Sequence, residues 1–228
     1  MQVFETPSPN FDERDRAIDL IILHYTGMKS CDAAITRLRD PDAKVSAHYV
    51  VDEDGRVFRL VSEEKRAWHA GVSSWQGDTA INARSIGIEI VNPGHEFGYR
   101  VFPDAQINAV ILLMKDINER HAISPKHVLA HSDVAPARKE DPGEKFPWAT
   151  LAAQGLAVDC FTGKVDPSIT YEAGLEALSA IGYDAPTGAH AAALLAFQRR
   201  FCPGDLGQGF SPLTKSALLF VRDQFEKK

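Results

Sequence analysis

Ile18-Asp19-Leu20-Ile21-Ile22-Leu23-His24-Tyr25-Thr26-Gly27 decides how most of the chain is read. Ile18–His24 is an apolar run suited to a buried strand, and its closing histidine stands ahead of a Tyr-Thr-Gly turn. Upstream, Pro7, Pro9 and Asn10 interrupt any pattern, so residues 1–17 read as an irregular arm. Downstream, Ser30 caps a helix over Cys31–Arg39 that Pro41 stops. Ala47–Val61 reads as a hairpin turning at Asp54-Gly55, and Ser85–Val91 (SIGIEIV) alternates and is β-branched, as a strand does. Asp104–Arg120 has Ile107, Val110, Ile111, Met114 and Ile117 at helical spacing. His127–His131 is a short strand, followed by a loop rich in charge and proline. Strands interleaved with helices predict one α/β sheet domain over residues 1–153. Residues 154–170, where Gly and Pro recur, read as a linker. Helices at Tyr171–Ile181, Ala189–Phe201 and Leu213–Phe225 then make a small three-helix domain over residues 171–228.

Composition bounds the function. With 44% hydrophobic and 25% charged residues in 228, the chain is expected to be an ordinary globular protein. A formal charge of -6 argues against nucleic acid and against an anionic membrane surface, since both call for a basic face. No stretch approaches transmembrane length. Cys31, Cys160 and Cys202 are odd in number and far apart, with no CxxC pair. Neither a thiolate metal knuckle nor a disulfide framework is expected, which fits a reducing compartment. The N-terminus has no basic segment ahead of an apolar core. A chain that starts naturally at Met1 is therefore expected in the cytoplasm, and one that has shed a leader in the periplasm.

Eight histidines fall unevenly along the sequence. His24 and His131 each end an apolar strand, where an α/β scaffold presents side chains rigidly at an opening. Asp141 follows in Arg138-Lys139-Glu140-Asp141-Pro142-Gly143, a loop that proline and glycine restrict. Two imidazoles and one carboxylate suit a catalytic zinc site, with a fourth position left for water. Spacing alone does not bring them together, and a single strand-end histidine is more commonly a hydrogen-bonded structural residue. Glu89 lies within an apolar strand, where a carboxylate is costly without a purpose. Alternation puts Ser85, Gly87 and Glu89 on one face. The pattern leaves that face open to solvent or, given its small residues, to a cleft. Lys139 would point the same way as Asp141 on an extended loop, either as a solvated charge or as a cation at an oxyanion.

Taken in order, ILHYTG, AHYVVDEDGRVFRLV, AWHAG, SIGIEIVN, AHSDVAPARKEDPG and FPW make the stretch from about residue 15 to 150 resemble the N-acetylmuramoyl-L-alanine amidases of the AmpD/AmiD type. Phage lysozyme-like amidases and peptidoglycan recognition proteins are related to them. The resemblance implies a mixed central β-sheet flanked by helices. It also implies a Zn2+ ion held by His24, His131 and Asp141, with Glu89 as the catalytic acid-base and Lys139 as the catalytic cation. Phage-type relatives place a tyrosine just before the hairpin histidine and a cysteine as third ligand. Ala47 and Asp141 stand there instead, on the AmpD/AmiD side. His48 is expected to be a buried hydrogen-bonding residue, and His69 to line the cleft or orient a neighbour. Tyr25, His69 and Asn82 are the candidates for contact with substrate, while Trp68 and Trp75 suit ligand contact or core packing equally.

The implied reaction is hydrolysis of the amide between N-acetylmuramic acid, or its 1,6-anhydro form, and the L-alanine of the stem peptide. The expected partners are then peptidoglycan fragments. Two other readings stand beside it: a non-catalytic peptidoglycan-recognition module, and a zinc peptidase cutting within the stem peptide. The tail, through EALSAIGYD, AALLAFQRRFCPG and TKSAL, resembles the three-helix peptidoglycan-binding domain appended to AmiD-type amidases. It departs from the common pattern at Phe210-Ser211-Pro212, where Asp-Gly is usual ahead of the final helix.

Overall fold

Leu20–Tyr25 forms the strand that its apolar run requires, at the heart of a mixed sheet. The structure is a computed structural model and describes residues 2–183 and 190–227. In chain order, the first elements are β1 (Val3–Glu5), β2 (Phe11–Glu13), β3 (Leu20–Tyr25), α1 (Cys31–Arg39), β4 (Tyr49–Val51), β5 (Val57–Arg59) and β6 (Lys65–Ala67). Then come α2 (Ile81–Arg84), β7 (Ser85–Ile90), α3 (Gly94–Phe97), α4 (Asp104–His121), β8 (Val128–Ala130), α5 (His131–Val134) and α6 (Trp148–Ala152). The tail supplies α7 (Tyr171–Ile181), α8 (His190–Phe201) and α9 (Pro212–Glu226). The main sheet runs β1-β5-β4-β7-β3-β8, and β2 pairs with β6 in a separate antiparallel ribbon. In the main sheet β4, β7, β3 and β8 are mutually parallel, β5 is antiparallel to β4, and β1 is parallel to β5.

Alternation along β3 divides the core. Ile21 and Leu23, with Ile86, Ile88 and Ile90 of β7, meet Ile107, Val110, Met114 and Ile117 of α4. Leu20 and Ile22, with Leu129 of β8, meet Leu178 and Ile181 of α7, Phe197 and Phe201 of α8, and Leu218 and Val221 of α9. The three tail helices therefore share one apolar cluster with the sheet. Each fully buried Leu, Ile or Phe contributes roughly 1.5–3 kcal/mol, so this contact holds the tail far more firmly than a tether would. The stretch 154–170 contains no helix or strand but is not free of the core: Leu156 and Ala157 join the α4 side and Val158 the tail side.

Several local expectations need correction. Residues 1–17 are not an irregular arm throughout, because 3–5 and 11–13 pair as edge strands. Their partners come from backbone groups of Val57–Arg59 and Lys65–Ala67, and their half-exposed side chains carry little periodic signal. The strand expected at His127–His131 is confined to Val128–Ala130, and His131 opens a helical turn instead. The single turns α2, α3, α5 and α6 are too short to display a helical period. The tail helices lie where the sequence puts them; Ala189, the expected start of the second, lies outside the described residues.

Candidate metal centre

Open α/β sheets bind ligands at the carboxyl ends of their parallel strands, and here three such ends converge. His24 is the penultimate residue of β3 and Glu89 that of β7, and the two are direct neighbours in the strand register. His131 follows β8 immediately. Asp141 is brought back to it by a backbone bond from Ser132 N–H to the Asp141 carbonyl at 3.0 Å. The result is a tight triangle. His24 Nδ1 lies 2.9 Å from His131 Nδ1 and 3.1 Å from Asp141 Oδ2, which is itself 2.9 Å from His131 Nδ1. All three residues are buried.

The protons around this triangle can be assigned by following the hydrogen bonds inward. The Ser85 hydroxyl donates to the Ile81 carbonyl at 2.6 Å, so its oxygen accepts from His69 Nε2–H at 3.1 Å. His69 Nδ1 is then an acceptor, and takes the His24 Nε2–H at 3.0 Å. His131 Nε2–H donates to the Ala70 carbonyl at 3.1 Å. Both histidines of the triangle thus spend their Nε2 proton outward and turn Nδ1 toward Asp141. Burial, and next the neighbouring His131, lowers the His24 pKa to about 4, so that ring is neutral at pH 7. Two imidazole lone pairs and a carboxylate oxygen cannot face one another bare. A positive centre among them would satisfy all three, and the donor set suits a small divalent metal ion.

Glu89 stands beside the triangle. The residue as a whole is half-buried, yet its Oε2 is sequestered and has no hydrogen-bond partner. Burial raises its pKa well above 4.5, the Asp141 charge adds to this, and Lys139 opposes it. The cleft expected on its strand face opens at Glu89 itself, while the small residues before it on that face are covered. A Cβ on Gly87 would come within 2.4 Å of the His69 ring, so Ser85 and Gly87 are small because His69 packs over them. A cleft of about 720 Å³ opens over the triangle, within the size range of ligand sites. Tyr25, Glu89, Lys139 and Asp141 line it, together with Trp68 and, from α8, Leu195 and Arg199.

The other expected site residues separate. Tyr25 borders the cleft, with its hydroxyl 3.0 Å from His95 Nδ1. His69 also borders it, but its hydrogen bonds are spent on His24 and Ser85. Asn82 does not line the cleft. Its Oδ1 accepts the backbone N–H groups of His69 and Ala70, at 3.2 and 2.8 Å, and so holds the loop that orients His24 and His131. His48 is buried, accepts the Gly87 N–H at Nδ1 and lies 3.1 Å from the Lys65 carbonyl at Nε2. Trp75 is core, whereas Trp68 lines the cleft and donates to Asp12 at 2.6 Å. Sequence reasoning missed Ser85 as the end of the proton relay and Arg199 as a wall of the cleft. The small Ser85/Gly87 pair was the one available signal for the first, and none existed for the second.

The relay carries a consequence. Replacing His69 with alanine removes the acceptor that fixes the His24 tautomer, and loss of such outer partners weakens metal affinity roughly 10–100-fold. Competition with a chromogenic chelator should show that loss, while a His69→Ala protein with unchanged affinity would mean that His24 orients itself.

Comparison with known proteins places the chain. A family model described as N-acetylmuramoyl-L-alanine amidase matches residues 14–144. The chain is 43% identical over 151 residues to the N-acetylmuramoyl-L-alanine amidase AmiD of Escherichia coli, covering 61% of this chain and 54% of that protein. It thus spans about half the length of that relative. It is 33% identical over 166 residues to the 1,6-anhydro-N-acetylmuramyl-L-alanine amidase AmpD of Citrobacter freundii, covering 64% of this chain and 87% of AmpD. The solved structure of Escherichia coli AmiD with anhydro-N-acetylmuramic acid-L-Ala-D-gamma-Glu-L-Lys superposes with a TM-score of 0.83 at 30% identity, over 96% of this chain and 99% of that one. On the strength of the family match over residues 14–144, this chain belongs to the N-acetylmuramoyl-L-alanine amidase family of enzymes.

Proposed function

We propose that the chain is a zinc-dependent amidase that hydrolyses the amide joining N-acetylmuramic acid, or its 1,6-anhydro form, to the L-alanine of a peptidoglycan stem peptide. The observation that carries this reading is the pairing of a metal-ready triangle with an unpartnered carboxyl at its edge. The substrates named for the AmiD and AmpD relatives supply the chemical class. His24, His131 and Asp141 would hold the metal, since their Nδ1, Nδ1 and Oδ2 atoms face one another. A zinc ion there would lower the pKa of a water in its open position and polarise the scissile carbonyl.

The protein's own groups do the rest. Glu89 Oε2 takes the proton of the attacking water and returns it to the departing alanine nitrogen. Its isolation from other donors keeps that oxygen available for both transfers. The Lys139 ammonium lines the same cleft, and its charge acts on both Glu89 and His24. It would share the negative charge that develops on the carbonyl oxygen. The cleft walls draw the substrate out of bulk water, which strengthens both electrostatic contributions.

Mass spectrometry of a digest of anhydro-N-acetylmuramyl tripeptide tests this. The expected products are the free sugar and an intact tripeptide with L-alanine at its new amino terminus. Release of single amino acids or dipeptides would instead make the chain a stem-peptide peptidase. Retention of uncut substrate by the zinc-loaded protein would make it a recognition module.

A further inference from the structure

The strings that liken the tail to a glycan-binding module, L-x-x-x-G-Y and AFQRRF, contribute two side chains to a different task. Asp133, two residues after His131, is fully buried in α5. Its Oδ2 accepts the Ala130 N–H at 2.8 Å and also the guanidinium of Arg200, from α8. Its Oδ1 accepts the hydroxyl of Tyr183, just beyond α7, at 2.7 Å. Arg200 Nη2 donates in addition to the Val128 carbonyl of β8 at 2.9 Å. One guanidinium from the tail therefore grips the strand that precedes His131 and the turn that follows it.

Both tail residues are themselves fixed. The Arg200 guanidinium lies 4.1 Å from the centre of the Trp148 ring, and the Tyr183 ring meets Trp75 edge-on at 5.2 Å. Arg200 is 3% exposed and Tyr183 1%. A buried ion pair is a poor source of net stability, because desolvation offsets most of its attraction. What such a pair does supply is a fixed geometry, since a planar guanidinium with two acceptors admits few alternatives. The geometry here brackets a metal ligand. From the opposite side, loop 70–74 completes the grip: the Ala70 carbonyl takes the His131 ring proton, and Ser74 N–H donates to the Val134 carbonyl at 2.8 Å.

We infer that Arg200 and Tyr183 are positioning residues for His131, so that the C-terminal helices complete the metal centre. This rests on the reading of His24, His131 and Asp141 as metal ligands. It treats the tail as a working part of the amidase site.

The test uses the full chain, Zn2+ in competition with a chromogenic chelator, and the visible spectrum of the Co2+-loaded protein, with circular dichroism to establish folding. Arg200→Gln should raise the zinc Kd roughly 10–100-fold. Tyr183→Phe should raise it several-fold, and both should alter the Co2+ bands. A merely structural pair would lower Tm and leave Kd and spectrum unchanged, and folded variants that behave so overturn the inference. Should Arg200→Gln fail to fold, Tyr183→Phe, which deletes one oxygen, decides alone: an unchanged Kd overturns it and a raised Kd supports it. Wild-type protein that takes up no zinc overturns the metal reading and this inference with it. Normal uptake by wild type and variants alike overturns this inference only.

Discussion

Replacing Glu89 with glutamine is expected to reduce kcat by about 10³-fold or more, with zinc still bound. Glutamine keeps the size and packing of the side chain at the end of β7 and removes only its capacity to accept a proton. Glu89 contributes none of the triangle's three atoms, so metal binding there should survive the change. The pH profile supplies an independent check. Burial, reinforced by the Asp141 charge, raises this carboxyl above 4.5, while Lys139 pulls it back. A divalent ion in the triangle would oppose that rise, so the check is whether the acidic limb of kcat/KM disappears in the glutamine variant. The same shift carries a sign for stability. In the metal-free protein the unfolded state ionises Glu89 first, so stability falls as pH rises from 4.5 toward the folded pKa. Glu89→Gln removes that loss and should raise the Tm of the metal-free protein at neutral pH. A group whose removal stabilises the fold while abolishing turnover is present for its chemistry. Near-normal turnover in the glutamine variant would take Glu89 out of the mechanism.

The parts of this site legible in the sequence are those where a polar residue interrupts an apolar period. His24 closes the run Leu20–Leu23, Glu89 breaks Ile86–Ile90, and His131 ends Val128–Ala130. Each interruption falls at the carboxyl end of a parallel strand, and the resemblance of the surrounding strings joins them into one site. What could not be read depends on contacts between segments distant in sequence. Asn82, a candidate for substrate contact in the sequence, accepts the backbone N–H groups of residues 69 and 70 through its Oδ1, and side chain-to-backbone bonds leave no period. The relay from Ser85 through His69 to His24 joins two strands and a loop. The helical spacing of α7, α8 and α9 announces an apolar face without saying what that face meets. It meets the sheet at Leu20, Ile22 and Leu129, and for that reason α8 can place Arg199 in the cleft and Arg200 beneath His131.

Substituting Asp141 with asparagine, or stripping the metal with a chelator, is expected to abolish turnover altogether and to remove a large part of the protein's thermal stability. The proton inventory of the triangle is the reason. His24 and His131 commit their Nε2 protons to His69 and to the Ala70 carbonyl. Their Nδ1 atoms and Asp141 Oδ2 then meet at 2.9–3.1 Å with a single positive centre to share. A proton serves that purpose poorly, because it bonds well to one or two acceptors and leaves the third buried and unpaired. A divalent ion satisfies all three at once. Binding to the folded state alone should therefore add about 4 kcal/mol at a thousandfold excess over Kd, or roughly 8–16 °C in a chain of this size. Asparagine at 141 removes the negative charge and can present an N–H to the imidazole lone pairs, so the zinc-dependent rise in Tm should vanish together with activity. Ligand exchange of this kind also releases any proton held in the triangle, so zinc affinity should weaken as pH falls. Equal Tm for chelated and zinc-loaded wild type, with turnover intact in both, would show that a shared proton is all the triangle holds.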